Sequence, residues 1–319
     1  MKAYQISAFD SPAKLVDLPD PAPGPGEIAM EIHACGLNFA DLLMMRGKYQ
    51  ERPEPPLTLG MEPAGVITAL GTGVTGFEIG QRVMCFTTTG GLAEAGVFPA
   101  ERCVPLPEGM PFEDAAAFQV AYGTSHLALD HKARMQPGEN LLVTGAAGGV
   151  GLTAVESGTL MGANVIACAR GADKLEICRQ AGAAHLIDSD TQDLRDAVKA
   201  LGGADVVYDA VGGDQFRAAM RAANPEARLL AVGFASGEVP QIPANHLLVK
   251  NITVMGYWWG GYLNFRPRVL TDSLRELLSW YNRGKLTPHI GATVPLAEAE
   301  RAYDLLRARK STGKVVVTM

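Results

Sequence analysis

Short alternating or apolar runs, bounded by glycine and proline, fill the first part of the chain, up to about residue 110. The segment "GEIAMEIHACGLN" alternates and then turns apolar, as a strand does before it enters a loop. "PAGVITALG", "GQRVMCF" and "AGVFPAERCVPLP" are shorter segments of the same kind. Prolines at positions 19, 21, 23 and 25 favour a stiff extended connection over a helix. The pattern predicts a β-rich domain.

From residue 140 the chain alternates between apolar runs and segments of helix length. The strand-like runs are "NLLVTGA", "NVIACAR", "AHLID", "ADVVYDAVG", "ARLLAVGF" and "NITVMGYW". Helix-compatible segments such as "ADKLEICRQAG" and "TQDLRDAVKALG" lie between most of them. Strands joined by crossover helices predict a parallel, doubly wound sheet, so we expect an α/β fold. Two more helices and a last strand, "GKVVVTM", are expected after about residue 262.

Composition and charge exclude several classes of protein. Apolar residues make up 47% of the 319 residues and charged residues 19%, which is typical of a globular protein. The net charge of -6 offers no electrostatic footprint for nucleic acid or anionic lipid. We expect no membrane span and no signal peptide, because no apolar run has the required length. The five cysteines are scattered and odd in number, which favours a reducing, cytoplasmic location without disulfides.

The segment "NLLVTGAAGGVGLTAVE" predicts a strand, a tight turn and a helix. In the G-x-G-x-x-G fingerprint of dinucleotide sites, its three key positions are Ala146, Gly148 and Gly151, so the first glycine is missing. Gly148 still lets backbone approach a pyrophosphate, and the N–H groups of the helix start, around Ala147, Gly149 and Val150, face its charge. A glycine-rich turn without a ligand is the alternative. The position at the first of six alternating strands favours a dinucleotide.

The end of the second predicted strand indicates which dinucleotide binds. An NAD site places a carboxylate there for the ribose 2′-hydroxyl, whereas "VIACARGADKLE" has Ala169 followed by Arg170 and Lys174. A guanidinium and an ammonium suit a 2′-phosphate, so we expect NADPH. Alternatively, both cations are solvated residues of a helix start that also carries Asp173.

Several motifs together resemble one family. They are "PGPGE", "GLNFAD", "GMEPAGVI", "GAAGGVGLTAVE", "DAVGG", "VGFASG" and "TGKVVV". Over nearly its whole length, the chain resembles the zinc-independent NADPH:quinone oxidoreductase branch of the medium-chain dehydrogenase/reductase (MDR) superfamily. The resemblance implies a GroES-like catalytic domain at 1–122, completed by 263–319, and a Rossmann NADPH-binding domain at 123–262. It also implies a homodimer, since family members often pair the sixth strand at the sheet edge with a partner chain.

The resemblance also bears on metal binding. Zinc alcohol dehydrogenases of the superfamily hold zinc with a cysteine-containing loop and a Gly-His-Glu motif. Here the loop position corresponds to Asn38 and the histidine position to Met61, and the structural lobe of four cysteines is absent. A catalytic zinc needs about three protein ligands. We therefore expect no metal.

Without a Lewis acid, the acceptor must stabilise its own negative charge. Hydride addition to a quinone leaves an aromatic phenolate, whereas a simple ketone leaves a strongly basic alkoxide. We expect Asn38 to donate to the acceptor or to a cofactor ribose, Tyr49 to stabilise the oxyanion, and Asp41 to orient them. The alternatives are that Asn38 stabilises its own turn, that Tyr49 only packs, and that Asp41 caps the following helix.

Further cofactor contacts follow from the resemblance and from the carboxyl edge of the sheet. These candidates are Thr124, Phe234, Ser236, Tyr257, Trp258 and Lys314. Thr124 is alternatively an N-cap and Lys314 a surface lysine, while the aromatic residues after the sixth strand line an acceptor pocket or bury in a subunit interface. The expected activity is NADPH-dependent reduction of a small-molecule quinone. An enone or enoyl-thioester (acyl-CoA) reductase and an NADPH-binding protein with little turnover remain alternatives.

Overall fold

The computed structural model describes all 319 residues and divides into two compact units. Unit 1 comprises Met1–Val120 and Pro288–Met319, and unit 2 comprises Ala121–Thr287. The strands are β1 Lys2–Ile6, β2 Lys14–Asp17, β3 Glu27–Leu37, β4 Leu57–Thr58, β5 Glu62–Leu70, β6 Arg82–Cys85, β7 Ala95–Pro99, β8 Cys103–Pro105, β9 Asn140–Thr144, β10 Asn164–Ala169, β11 His185–Asp188, β12 Ala204–Asp209, β13 Ala223–Ala231, β14 Thr253–Gly256, β15 Ile290–Pro295 and β16 Lys314–Thr318.

The helices differ in length from one turn to more than four. They are α1 Phe39–Met44, α2 Phe112–Ala116, α3 Gln119–Leu127, α4 Gly149–Leu160, α5 Ala172–Gln180, α6 Leu194–Ala200, α7 Gly213–Ala222, α8 Ala244–Lys250, α9 Tyr262–Phe265, α10 Pro267–Asn282 and α11 Ala299–Arg307. A π-helical turn at Ala128–Lys132 follows α3. None of the helices combines the length and the apolar character that crossing a membrane requires.

Unit 1 is built around the long strand β3, which has strand neighbours along its whole length. The larger sheet has the order β15-β16-β3-β5-β6-β8, with β7 also on β3, and a smaller sheet has the order β2-β1-β4. Alternate side chains of β3, including Ile28, Met30 and Ile32, bury in one core cluster. Its far end, at Cys35 and Leu37, buries in a second cluster. The predicted β-rich domain is confirmed, and the far end of β3 leads into the site.

Unit 2 is a doubly wound domain around one parallel sheet. Its strand order is β11-β10-β9-β12-β13-β14, so the chain winds outward from β9 and then outward again from β12. Leu142, Val207 and Leu229 on three of these strands are fully buried. The predicted Rossmann sheet is confirmed, with the sixth strand at its edge. Ligands of such sheets bind beyond the carboxyl ends of the strands where the winding reverses, here β9 and β12.

The compact units divide at other residues than those expected from the sequence. Residues 263–287, which we expected in the catalytic domain, belong to unit 2. The reason is α10, whose Leu270, Leu274 and Leu277 are spaced along one helix face and are buried. On the same helix, Ser273 Oγ lies 2.8 Å from His126 Nδ1 of α3. The end of the sixth strand is therefore not the end of this compact unit.

We predict that α10 contributes to the stability of unit 2. Leu277→Ala removes a fully buried side chain and should lower the free energy of unfolding by about 2–5 kcal/mol. The matched control is Glu276→Ala, one position earlier and exposed, for which we expect a change within about 0.5 kcal/mol. Urea unfolding of the two variants measures both values. Equal effects would show that α10 does not belong to this core.

Candidate active site

A buried ion pair lies at the start of two strands of unit 1. Glu62 begins β5 and Lys314 begins β16, and they are 1% and 4% exposed. Lys314 Nζ donates directly to Glu62 Oε1. It also donates to the carbonyl oxygen of Leu37 at 2.9 Å and to Asn38 Oδ1 at 2.8 Å. All three ammonium protons therefore have acceptors inside the protein, as a buried charge requires.

The end of β3 brings the two charged residues together. Gly36 of β3 is the register partner of Glu62 on one side and of Val316 on the other. A Cβ on Gly36 would lie 2.0 Å from the carbonyl oxygen of Ala116 and 2.8 Å from Glu62 Oε1. A side chain at this position would therefore displace the Glu62 carboxylate. The glycine of "ACGLNFADLL" makes room for the ion pair.

Asn38 is held at both ends of its amide by this pair. Its Nδ2 donates to Glu62 Oε1 at 2.8 Å, and its Oδ1 accepts from Lys314. Glu62 Oε2 also accepts from the backbone N–H of Val120 at 3.0 Å. These contacts fix the orientation of the amide, and one of its two N–H bonds is left for a further acceptor. We refer to Lys314, Glu62 and Asn38 as the Lys–Glu–Asn network.

Asp41 caps the helix α1, which is the role that we gave as the alternative to orienting Asn38 and Tyr49. Its Oδ2 accepts from the backbone N–H of Asn38 at 2.7 Å in the first turn of α1. Burial raises the pKa of Asp41 to about 7, although the Asn38 N–H opposes the shift. The carboxyl holds the start of the helix behind Asn38.

Tyr49 is not part of the Lys–Glu–Asn network. It is half-buried and packs against the unit 1 core cluster that contains Leu42 and Met45. This packing is the role that we gave as the alternative to catalysis. A direct role of Tyr49 at the oxyanion stays a prediction.

In unit 2, the β9–α4 turn has the shape of a phosphate-binding turn. The sequence fingerprint expected the glycine of the tight turn at position 146, which is an alanine. In the structure the turn glycine is Gly145, one position earlier, with a φ of 62°. A Cβ on Gly151 would lie 2.1 Å from the carbonyl oxygen of Gly145, which is why the helix needs glycine there. Gly148 is the N-cap of α4, and half-buried Gly149 and Val150 form its first turn. Their N–H groups have no partner within the helix and suit an anion.

Two cations stand beyond the carboxyl end of β10. Arg170 follows the strand and pairs through Nε with Asp190 Oδ1 at 3.2 Å. Burial lowers the pKa of Lys174, and the nearby positive charge of Arg170 lowers it further. The two residues therefore form one patch of positive charge. Ala169 at the strand end leaves the patch without the carboxylate typical of NAD sites.

A buried carboxyl group joins the two strands at which the winding reverses. Asp209, at the end of β12, accepts from Thr144 Oγ1 of β9 at 2.5 Å and from the backbone N–H of Gly212 at 2.8 Å. Burial raises the pKa of Asp209, while these donors oppose the shift. The contacts fix the carboxyl ends of β9 and β12, where a doubly wound sheet binds its ligand.

Comparison with known proteins identifies the family. Residues 149–280 match the family model "Zinc-binding dehydrogenase", and residues 24–108 match "Alcohol dehydrogenase GroES-like domain". The chain is 41% identical over 300 residues to quinone oxidoreductase-like protein 2 homolog of Nematostella vectensis, covering 92% of this chain and 82% of the relative. This chain belongs to the quinone oxidoreductase-type proteins of the MDR superfamily. The predicted family is thus confirmed, and the chain is an MDR oxidoreductase.

Solved structures of quinone oxidoreductases have the same fold. The enzyme from Thermus thermophilus, solved alone and with NADPH, is 35% identical with a TM-score of 0.89, and 100% of both chains is covered. The Escherichia coli quinone oxidoreductase complexed with NADPH is 27% identical with a TM-score of 0.93, again over 100% of both chains.

The family model is described as zinc-binding, but the residues of this MDR chain do not fit a zinc ion. No three His, Cys, Asp or Glu side chains are grouped so that they could hold a metal. At the two positions that correspond to zinc ligands stand Asn38, an amide, and Met61, a buried thioether.

The structure places the remaining candidate residues in different surroundings. Thr124 is buried within α3, which begins at Gln119, so it is not an N-cap. Phe234 and Ser236 are exposed beyond β13, and Ser236 Oγ accepts from the backbone N–H of Glu238 at 3.2 Å. Contacts of Thr124, Phe234 and Ser236 with a cofactor stay predictions. Lys314 is not a surface lysine, because it is buried and its charge pairs with that of Glu62.

The aromatic residues after β14 are largely internal to unit 2. Tyr257 is 7% exposed, and burial raises its pKa well above the ordinary value. Trp259 is also buried, with its ring so close to Gly123 that a Cβ there would lie 2.9 Å away. Trp258 is half-buried against Gly261. Contacts of Tyr257 and Trp258 with a cofactor stay predictions.

Sequence reasoning missed Glu62, although a signal for it was present. Glu62 stands within the apolar stretch "MEPAGVI", and Lys314 stands immediately before "VVV". A charge at the start of a buried strand needs a partner of opposite charge. Glu62 and Lys314 are two such charges of opposite sign. Pairing them would have predicted the network.

We predict that the ion pair is coupled energetically. Glu62→Gln or Lys314→Met alone leaves a buried charge unpaired and should cost about 3–5 kcal/mol of unfolding free energy, whereas the double variant should recover most of it. The matched control is the exposed pair of Glu298, the N-cap of α11, and Arg301 within α11, where the corresponding substitutions Glu298→Gln and Arg301→Met should cost at most about 1 kcal/mol. Urea unfolding provides both double-mutant cycles. Additive costs at Glu62 and Lys314 would contradict the coupling.

We also predict a pH dependence from Asp41. Its pKa of about 7 in the folded chain exceeds the ordinary 3.8, so the folded state binds this proton more tightly than the unfolded state does. The contribution of Asp41 to stability should therefore fall as the pH rises from about 4 to about 7, by on the order of 1 kcal/mol per unit, and then stay constant. The measurement is the difference in unfolding free energy between the natural chain and Asp41→Asn. A difference independent of pH would refute the shift.

Proposed function

We propose that this chain uses NADPH to reduce a quinone, or a similar conjugated carbonyl, without a metal ion. The observation that carries the proposal is the Lys–Glu–Asn network. Its Asn38 stands in the loop where zinc-dependent relatives hold their metal, and the network presents an oriented amide there instead of a ligand set. One N–H bond of a neutral amide stabilises an oxyanion far less than a divalent cation does.

Weak electrophilic assistance restricts the acceptor. Hydride addition to a quinone gives an aromatic phenolate, and addition to an enone gives an enolate, so the negative charge is delocalised in both products. The remaining Asn38 N–H can donate to the carbonyl oxygen on which the charge develops. Lys314 and Glu62 hold the amide in this orientation, and Asp41 holds the loop that carries it.

Two features of unit 2, together with two solved relatives, support NADPH as the reductant. The β9–α4 turn presents free N–H groups suited to a pyrophosphate. Arg170 and Lys174 supply positive charge at the place where a 2′-phosphate binds in this fold, and no carboxylate ends β10. The Thermus thermophilus and Escherichia coli relatives were solved with NADPH. NADPH, when bound, supplies the hydride.

We further propose a homodimer formed along β14. This strand is the edge of the parallel sheet, and an unpaired edge tends to associate with another chain. Leu248 and Val249, just before β14, are 75% and 71% exposed. Burial of these side chains by a second copy would remove an apolar surface from water. Sedimentation equilibrium should give twice the mass of the chain, and a monomer at all concentrations would refute the proposal.

Steady-state NADPH oxidation tests the function directly. Acceptors of three classes are compared, namely 1,4-benzoquinone and substituted quinones, simple enones, and enoyl-CoA thioesters. We expect the highest kcat/KM with a quinone. Preference for an enone or a thioester would favour the alternative reductase, and NADPH binding without turnover on any acceptor would favour a binding protein.

We predict that Arg170 discriminates between the two nicotinamide cofactors. Arg170→Ala should raise the KM for NADPH at least about tenfold, with little change for NADH, because a charge-assisted contact to the 2′-phosphate is lost. Arg179→Ala is the matched control, since Arg179 is an exposed, ion-paired arginine on the neighbouring helix α5. It should leave both KM values unchanged. Equal changes for NADPH and NADH in Arg170→Ala would remove the 2′-phosphate assignment.

A further inference from the structure

Two cysteines face each other across neighbouring strands of unit 1. Cys85 ends β6 and Cys103 begins β8, and the two residues are register partners in the antiparallel pairing of these strands. Direct partners on antiparallel strands place their side chains on the same face of the sheet. Both side chains accordingly bury in the core cluster that contains Ile28 and Phe98. All five cysteines of the chain are free thiols in the structure.

The position of this pair in the ladder brings the two backbones close together. The N–H of Phe86 donates to the carbonyl oxygen of Arg102 at 3.3 Å, and hydrogen-bonded pairs alternate with pairs that are not hydrogen-bonded. Cys85 and Cys103, one position further in, therefore form a pair without backbone hydrogen bonds, whose Cα atoms are typically about 4.5 Å apart. A disulfide spans Cα separations of about 4.4–6.8 Å. The strands thus need no rearrangement for an S–S bond.

The two thiol groups are also in contact. Burial raises the pKa of Cys85 well above its ordinary value, and a side-chain hydrogen bond with Cys103 raises it further. Each thiol in addition lies 3.5 Å from a backbone carbonyl oxygen, that of Phe86 for Cys85 and that of Pro99 for Cys103. The sulfur atoms therefore meet within the cluster and point toward each other.

Cys103 is the more accessible member of the pair. Cys85 is fully buried, whereas Cys103 is 7% exposed and begins a strand of three residues at the edge of the sheet. Pro105 ends this strand, and so short an edge is a poor template for a strand of another chain. Short edge strands open locally more readily than central ones. Cys103 is therefore the thiol that an external reagent reaches first.

The segment between the two cysteines holds the chain that leads to Glu62. The N–H of Thr87 donates to the carbonyl oxygen of Met61 at 2.8 Å, and the N–H of Leu92 donates to that of Leu59 at 2.8 Å. A bond between the ends of this segment closes it into a ring and restricts its motion. The restriction acts on residues that lie directly before Glu62 of the Lys–Glu–Asn network.

The other three cysteines have no such partner. Cys35 on β3 has Pro63 and Val317 as register partners. Cys168 lies on β10 between strands that carry no cysteine, and Cys178 lies on the helix α5. Cys85 and Cys103 are thus the only cysteines of the chain that are strand partners.

We propose that Cys85 and Cys103 form a reversible oxidation site, at which a small-molecule disulfide closes a disulfide bond between β6 and β8. The Cys103 thiolate attacks one sulfur of the small disulfide, so a mixed disulfide forms and one small thiolate leaves. The Cys85 thiolate then attacks the Cys103 sulfur, the protein S–S bond forms and the second small thiolate leaves. The protein loses two electrons and two protons, and the small disulfide becomes two thiols. This site does not depend on the function proposed above.

Oxidised glutathione on the folded natural chain tests the proposal. After free thiols are alkylated, trypsin cleaves behind Arg82, Arg102 and Lys132, so that a disulfide joins peptides 83–102 and 103–132. We expect this joined peptide in the mass spectrum and its separation by dithiothreitol. Cys168 and Cys178 should be found alkylated in the same digest. The Tm of the oxidised chain should rise by about 5 °C, because a closed loop of about 20 residues restricts the unfolded state.

Three variants separate the two steps of the reaction. Cys85→Ala should stop at the mixed disulfide, with glutathione retained on Cys103 and no rise in Tm. Cys103→Ala should leave Cys85 as a free thiol. The matched control is Cys35→Ala, which removes another buried cysteine of unit 1 and should still yield the joined peptide.

Three results would overturn the proposal. The first is the recovery of Cys85 and Cys103 as alkylated thiols after oxidation of the folded chain. The second is glutathione that stays on Cys103 in the natural chain, which would mean that Cys85 does not reach it. The third is cross-linking of Cys85 or Cys103 to the remaining cysteines to the same extent as to each other, which would indicate reaction of unfolded chains. If a variant fails to fold, the digest of the natural chain decides alone.

Discussion

The buried contact between Lys314 and Glu62 is the constraint on which the described site depends. A charged pair inside a protein is tolerated only when each charge has partners, and here every partner has a structural role. Lys314 binds the end of β3 through Leu37, Glu62 binds Val120, and both hold Asn38. The same contacts that satisfy the charges thus fix three segments of unit 1 and orient the amide.

Much of the fold could be predicted because its determinants are local. Alternation of apolar runs with helix-length segments restricts the topology, since crossover connections have one hand and strands alternate with helices. The parallel, doubly wound sheet with its sixth strand at the edge followed from that pattern and from the family resemblance. The place of α10 did not, because the stripe Leu270, Leu274 and Leu277 shows that a face is buried but not against which core.

The site residues divide in the same way, into those that a local motif indicates and those that only the fold brings together. Asn38 and the cations Arg170 and Lys174 could be proposed from motifs whose chemistry is contained in a few neighbouring residues. Glu62 and Lys314 are 252 positions apart, and no local spacing links them. Their contact arises only because β5 and β16 both pair with the end of β3. The turn glycine Gly145 was overlooked for a simpler reason, because it stands one position away from the fingerprint.

The network also accounts for the chemistry proposed here. A fixed neutral amide, supported by a cation already paired with a carboxylate, leaves no role for a metal and suits an acceptor that delocalises its own charge. The most direct measurement is the metal content of the purified protein, combined with NADPH–quinone turnover before and after dialysis against a chelator. The account predicts far less than one zinc per chain and unchanged turnover. Stoichiometric zinc, with turnover lost on chelation and restored by the metal, would contradict it.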